Sequence, residues 1–234
     1  MQPGQETRLN KFLAESLGLS RRQADDAIVD GKVEVEKVGK KRQRAVLGER
    51  IDKSDKVWYN GNIVLHNLTY VYVALNKPVG YVCSRNAQGD APTIYDLLPK
   101  KYHTLKTVGR LDKDSSGLIL LTNDGDFAFS MTHPKFYKEK TYEVELDRSL
   151  EPLHQQMISD FGIELPDGKS KLGLIKTDNT QKNWRVIMHE GRNRQIRRTF
   201  AALGYKVIKL KRIEFGKYSL GNLPEGKTQE VPKY

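Results

Sequence analysis

Apolar and polar positions fall into short periodic blocks along the chain, separated by glycine, proline and asparagine. Leu9, Phe12, Leu13 and Leu17 recur at helical spacing, with Thr7 or Asn10 as a cap and Gly18 as a stop. A second helix starts at Ser20 and turns Ala24, Ala27 and Ile28 inward. The turn Asp30-Gly31-Lys32 leads into an alternating strand over 33–36, and residues 46–55 and 57–61 read as a strand and a hairpin turn. Further on, 71–75 and 81–84 read as strands, 85–92 as a polar loop, and 93–98 as one or two helical turns before Pro99. The apolar run 117–122, flanked by Asn, Asp and Gly, is the pattern of a buried strand between turns. A helix over 126–131 follows, and then an alternating strand over 140–146 that puts Tyr142, Val144 and Leu146 on one face. An amphipathic helix over 152–161, a turn with a short strand over 162–171, strands over 172–176 and 184–188, a helix over 194–203 and a strand over 206–211 complete the pattern. Runs of strands mixed with helices make this an α+β chain.

The 234 residues suffice for a small domain followed by a medium one. The pattern places the boundary within 62–69, giving domains 1–66 and 67–234. No window approaches the apolar length of a membrane span. The start MQPGQETRLN has no apolar stretch behind a basic tip, so no secretory signal is expected. Cys83 is the single cysteine; amid Val and Tyr it reads as a small core filler, and a reducing cytoplasm is the expected compartment. No fixed-period repeat, coiled-coil seam or exposed apolar stripe is evident, which fits a monomer.

Charge changes the picture. The formal net charge is +11, which favours a polyanionic partner through counterion release. An acidic membrane would need a long basic amphipathic helix with bulky apolar anchors, and none is evident. Between residues 192 and 217 the basic side chains include Arg192, Arg194, Arg197, Arg198, Lys209, Lys211 and Arg212, opposed within that stretch only by Glu214. Arg21, Arg22 and Gln23 crowd the first turn of the second helix, where basic groups gain nothing from the helix dipole and phosphate would hold them. Residues 36–44 form a further basic loop.

One stretch carries the chemistry. Val108 to Pro134 reads VGRLDKDSSGLILLTNDGDFAFSMTHP, which sets Arg110 and Asp112 ahead of serines, a glycine and a core strand. A carboxylate braced against a rigid element is held as a catalytic group requires. If the segment is extended, Arg110 and Asp112 point the same way. His133 closes the stretch, with an orienting or capping role as its first reading and substrate contact as the other. Metal readings fail: the five histidines lack ligand spacing, and the apolar strand separates Asp112 and Asp114 from Asp124 and Asp126.

This stretch resembles the signature of the RsuA-type pseudouridine synthases, the ribosomal RNA branch of that superfamily. Four further features fall in the same order: an S4-like start, Leu75-Asn76-Lys77-Pro78-Val79-Gly80, then Lys140-Thr141-Tyr142, then residues 191–198, GRNRQIRR. A Leu210-Lys211-Arg212 step and a closing Leu220-x-x-Leu223-x-x-Gly226 extend the match over nearly the whole chain. The resemblance implies a small S4-like RNA-binding domain followed by a mostly antiparallel mixed-sheet synthase domain flanked by helices. It implies isomerisation of a flipped uridine in ribosomal RNA or an assembly intermediate, with no cofactor or metal. By the same resemblance Asp112 is the catalytic carboxylate, acting by covalent addition or by a glycal route. Arg197 is its basic partner, Tyr142 stacks on uracil, and Leu210 packs on the other side of the base. Arg110, Arg192, Arg194, Gln195, Arg198 and Arg212 are expected to bind substrate. In the first domain Arg8, Lys11, Arg21, Arg22, Gln23 and Lys32 are expected to face RNA. The sequence departs from the pattern at 36–46, where a basic loop replaces the usual short turn. A non-enzymatic S4-type clamp would explain the charge but not the joint presence of GRLD, KTY and GRNRQIRR. Methyl transfer would need a Gly-rich turn that is missing.

Overall fold

The computed structural model describes residues 6–65, 69–85 and 89–234. The chain divides into two compact units, 1–70 and 71–234. Parts of the expected boundary (66–68), of the expected loop over 85–92 (86–88) and of the N-terminal start (1–5) lie outside the described residues.

In the first unit, helices α1 (Leu9–Leu17) and α2 (Arg21–Val29) pack Leu9, Phe12, Leu13, Ala24, Ala27 and Ile28 into one core. Gly18 ends α1 in the left-handed region at φ +70°, a conformation that a residue without Cβ adopts freely. Ser20 caps α2, accepting the Gln23 N–H at 3.1 Å, while the Gln23 side chain accepts the Ser20 N–H at 2.8 Å. Strands β1 (Val33–Glu36), β2 (Gln43–Arg44), β3 (Lys56–Tyr59) and β4 (Asn62–Ile63) form an antiparallel sheet in the order β2-β1-β3-β4. Two local expectations are corrected. Only Arg50–Ile51 of the strand expected over 46–55 is extended, because Val46 and Leu47 face solvent and have no sheet to join. Conversely, Gln43–Arg44 of the basic loop is a strand, paired with β1.

The second unit is built on one mixed sheet, nine-stranded among the described residues. Its path strands are β5 (Tyr72–Lys77), β7 (Ser116–Thr122), β8 (Lys140–Leu146), β9 (Gly173–Lys176), β10 (Asn183–Met188), β11 (Val207–Phe215) and β12 (Thr228–Glu230). They run in the order β9-β10-β8-β11-β7-β5-β12, and β6 (Lys106–Val108) pairs off this path with β7. β7 and β11 are parallel, whereas the other pairings along the path are antiparallel. All seven residues of β7 are buried, so its apolar run serves both faces of the sheet. Val73, Leu75, Ile119 and Leu121 enter one core with Tyr142, Val144 and Leu146; Ala74, Leu118 and Leu120 enter another with Phe127 and Met131 of α3 (Gly125–Thr132). The shared face expected for Tyr142, Val144 and Leu146 is therefore present.

Three further expectations are corrected. Residues 81–84 form only an isolated bridge, Val82 with Thr93. The helix over 152–161 is α-helical as α4 (Pro152–Gln156) and then widens to a π-helical turn, Met157–Phe161. The strand expected over 206–211 runs on as β11 to Phe215, because β8 on one side and β7 on the other pair with its second half.

Candidate active site

The loop entering β7 carries Arg110 and Asp112 on either side of Leu111, which is buried in the core. That alternation turns both polar side chains into the same cleft. The loop is stapled from beneath. Lys77, at the end of β5, is wholly buried and donates from Nζ to the carbonyls of Pro78 (3.0 Å), Asp112 (3.1 Å) and Ser115 (2.6 Å). Cys83, the expected core filler, is a free half-buried thiol whose Sγ accepts the Leu111 N–H at 3.4 Å. Burial pushes the Lys77 amine below its ordinary pKa and the Cys83 thiol above its own. Lys77→Met would leave those carbonyls without their charged donor, a loss on the order of 2–3 kcal/mol. The expected outcome is a Tm lower by roughly 5–10 °C and a kcat that falls more than KM rises. Calorimetry with single-turnover kinetics checks both.

The cleft has a volume of about 480 Å³ and gathers Arg110, Asp112, Tyr142, Arg194, Leu210 and Arg212. Tyr142 and Leu210 are 8% and 7% exposed, an aromatic and an aliphatic wall. Tyr142 pairs across the sheet with Arg212, and Val144 with Leu210, so these side chains share a face.

The cation beside Asp112 is not the one expected. Arg194 Nη1 lies 3.8 Å from Asp112 Oδ2 and also makes a bidentate pair with Asp114, at 2.9 and 2.7 Å. Arg197 is turned to the neighbouring carboxylate. Its Nε lies 3.3 Å from Asp114 Oδ2, its Nη2 donates to the Asp114 carbonyl at 2.7 Å, and its Nη1 donates to the Val207 carbonyl at 2.7 Å. The hydrogen bonds of Arg194, and then the charges of Arg197 and Arg194, hold the Asp114 carboxyl below its ordinary range, against desolvation. Arg194 adopts this position with a left-handed backbone, φ +45°, at the start of α5 (Gln195–Ala201).

Three of the expected substrate contacts are committed to the protein itself. Arg192 lines the cleft, but its Nη1 donates to the Asp167 carboxylate and to the Asp167 and Gly168 carbonyls, and its Nη2 to the Lys169 carbonyl and Glu190. Arg198 makes a bidentate pair with Asp167 at 2.9 and 2.7 Å. Gln195 is buried and bonds Ser170 Oγ, Glu190 and the Arg192 N–H. Together they lash the hairpin Ile163–Leu165 with Gly168–Ser170 to α5. Their shared acidic partner, Asp167, lies outside the basic stretch, 25 residues upstream of Arg192 and 31 upstream of Arg198.

Residues 71–202 match the family model described as RNA pseudouridylate synthase. The chain belongs to the RNA pseudouridylate synthase family. It is 36% identical over 229 residues to the ribosomal large subunit pseudouridine synthase B of Bacillus subtilis, covering 96% of this chain and 91% of that protein. Against the ribosomal small subunit pseudouridine synthase A of Pasteurella multocida it is 36% identical over 237 residues, covering 96% and 95%. A crystal structure of a pseudouridylate synthase superposes with a TM-score of 0.67 at 35% identity, covering 96% of each chain. The protein is thus an RNA pseudouridine synthase, with the mixed sheet and helices of that fold.

Two basic side chains of this synthase line the cleft from the sheet. Arg212 is 2% exposed; its Nε donates to the Leu118 carbonyl at 2.8 Å, its guanidinium lies 4.8 Å from the Phe215 ring, and its Nη2 has no hydrogen-bond partner among the described residues. Lys140, which sequence reasoning passed over as part of KTY, donates to the Lys138, His189 and Glu190 carbonyls. Burial and then the charge of Arg212 lower its pKa to about 8, with Glu190 opposing. Its ammonium is therefore charged well below pH 8 and loses its proton in the folded protein as pH rises through 8, where an unfolded lysine still holds its own. The burial penalty on the folded state fades over that same rise. RNA affinity at fixed salt is expected to fall above pH 8 in wild type and to hold in Lys140→Arg. A salt titration should show the slope of log K against log salt shallower by about 0.7–0.9 above that pH.

Among the described residues, no cluster of three His, Cys, Asp or Glu could hold a metal, and no helix is long and apolar enough to cross a membrane. His133 acts as a cap, its Nδ1 accepting the Lys135 N–H at 3.3 Å.

In the first unit Arg8 and Arg22 are exposed, and Arg21 Nη1 donates to Asn10 Oδ1 at 3.1 Å. Lys11 lies 3.9 Å from Glu15, and Lys32 lies 2.8 Å from Asp30. Gln23 closes the α2 capping box, so its position is explained by the helix end rather than by RNA. The basic loop presents Lys40, Lys41 and Arg42 to solvent, with Arg42 paired to Glu34 and 4.3 Å above the Trp58 ring.

Proposed function

We propose that this synthase isomerises one specific uridine of ribosomal RNA to pseudouridine, in the 23S molecule in preference to the 16S, with Asp112 as the catalytic carboxylate. The observation that carries this reading is the half-exposed Asp112 carboxylate in a cleft walled by Tyr142 and Leu210, on a loop fixed by the buried Lys77. The ribosomal names of the relatives support the RNA class.

A uridine enters such a cleft only after leaving its stack, at a cost of a few kcal/mol that phosphate contacts offset. Tyr142 and Leu210 hold the base between an aromatic and an aliphatic surface. Asp112 then either adds to C1′ or takes a sugar proton. In both routes the C1′–N1 bond breaks with its electron pair going to uracil. The base turns and C5 bonds to C1′, breaking the Asp112–C1′ ester in the first route, or adding to the glycal as Asp112 returns the sugar proton in the second. The C5 proton then leaves and N1 gains one, which restores the ring. Arg194, 3.8 Å from Asp112, stands beside the carboxylate, Arg110 braces the nucleotide at the mouth, and Arg212 meets the base edge or its phosphate. Arg197 acts one step back, by locking Asp114 and so the loop.

The first unit, with α1, α2 and β1 in the order of an S4 module, is the RNA-gripping domain, through Arg8, Lys11, Arg21, Arg22 and Lys32. The enzyme works as a monomer in the cytoplasm on ribosomal RNA or an assembly intermediate. The test is tritium release from 5-tritiated ribosomal RNA prepared from cells lacking the gene. Release that plateaus with the RNA of one subunit supports the reading. Tight binding without release from either RNA contradicts it.

A further inference from the structure

The segment between α3 and β8 has features that the reaction does not use. Residues 135–138 read Lys-Phe-Tyr-Lys. Phe129, in the last turns of α3, and Phe136 and Tyr137 after it are 48%, 40% and 76% exposed, whereas aromatic rings are ordinarily mostly buried. Phe129 and Phe136 stand edge to face with centroids 5.8 Å apart, and His133 fills the angle, 4.7 Å from Phe129. Lys135 Nζ lies 5.2 and 4.8 Å from the two phenylalanine rings. Tyr137 is held at φ +47°, ψ 43°, a left-handed backbone that a bulky residue rarely adopts. The patch adjoins the catalytic cleft, because Thr132 and Pro134 line it.

We propose that Phe129, Phe136 and Tyr137 form a stacking platform for an unpaired RNA base beside the uridine drawn into the cleft. This rests on the function proposed above. When a nucleotide is flipped out, its neighbour loses a stacking partner, and an aromatic surface at the cleft lip replaces it. Aromatic rings interleaved with Lys135 and Lys138 match a base carried on a phosphate backbone: the rings take the base plane, and the lysines take the adjoining phosphates. A protein partner of similar apolar character would not account for the paired lysines. The left-handed Tyr137 is unfavourable for folding and is retained because it projects the ring outward.

Strain and function therefore predict opposite signs. Glycine at 137 relieves the backbone and removes the ring. With 16S and 23S ribosomal RNA purified from cells lacking the gene, Tyr137→Gly and Phe136→Ser are expected to weaken filter-binding affinity by roughly tenfold each. KM should rise in step while single-turnover kcat is retained. Tyr137→Phe keeps affinity within roughly twofold, a factor well below the loss of a stacked base. The Tm of Tyr137→Gly should equal or exceed wild type. Affinities within the same twofold margin for both Tyr137→Gly and Phe136→Ser would overturn the platform. So would a loss of binding that only tracks a fall in Tm in both variants. Wild-type protein that binds RNA through these rings but releases no tritium would leave the platform standing and remove the proposed reaction.

Discussion

Asp112→Asn is expected to abolish pseudouridine formation, by at least roughly a thousandfold in single-turnover rate, while RNA binding stays within about threefold of wild type. The amide is close to the carboxylate in size and preserves the loop, but it can neither attack C1′ nor accept a sugar proton. Folding should hardly respond. The Asp112 side chain is 37% exposed, and Arg194 sits 3.8 Å away and keeps a tighter bidentate pair with Asp114. An exposed pair of that kind contributes about 0–1 kcal/mol. Asp114→Asn separates the two carboxylates by the opposite signature. It loosens Arg194 and Arg197 together, so Tm falls and the rate is only partly lost. Equal rate losses in the two variants would move the catalytic assignment away from Asp112.

Gly117→Ala should be the most damaging small substitution in the second unit. A Cβ at 117 would lie 2.2 Å from the Arg212 carbonyl oxygen and 2.7 Å from the Arg212 nitrogen, and the backbone there has φ +102°. Both clashing atoms are backbone, in the parallel register that joins β7 to β11. Neither can rotate aside, so relief requires the two central strands to separate. The expected loss is on the order of 3–5 kcal/mol, a large share of the stability of a domain of this size. Tm should drop by roughly 10 °C or more, with much of the protein insoluble at growth temperature. Gly18→Ala, at an exposed helix end with nothing within 4 Å, is the control and should lose only the smaller left-handed penalty.

These two glycines show what the sequence could and could not disclose. Gly18 was legible as a helix stop because its neighbours on the chain decide its role. Gly117 was legible only as the edge of an apolar run, since its clash is with a strand 95 positions later. The same division runs through the site. The two-residue spacing of Arg110 and Asp112 and the alternation of Tyr142, Val144 and Leu146 are periodic signals: the first pair lines one cleft and the second set enters one core. Lys77 was legible only as a member of the 75–80 motif, yet it is wholly buried, because two of its three carbonyl partners belong to a loop more than thirty residues on. Arg192 and Arg198 read as free cations because Asp167 lies outside the basic stretch. Arg197 and Arg194 differ by three residues on the chain, and which of them meets Asp112 depends on the left-handed turn at Arg194, a choice that composition does not encode. The strand expected at 81–84 failed for the converse reason: it is apolar enough, but among the described residues its one bridge is to Thr93, outside the sheet.

The central claim is that a uridine of ribosomal RNA is isomerised through Asp112. The most direct measurement maps pseudouridine by carbodiimide-stop sequencing across 16S and 23S RNA from cells with the gene, without it, and complemented with wild type or Asp112→Asn. One signal that disappears with the gene, returns with wild type and stays absent with Asp112→Asn is the predicted result. A map unchanged by deletion, or a signal restored equally by Asp112→Asn, would contradict it.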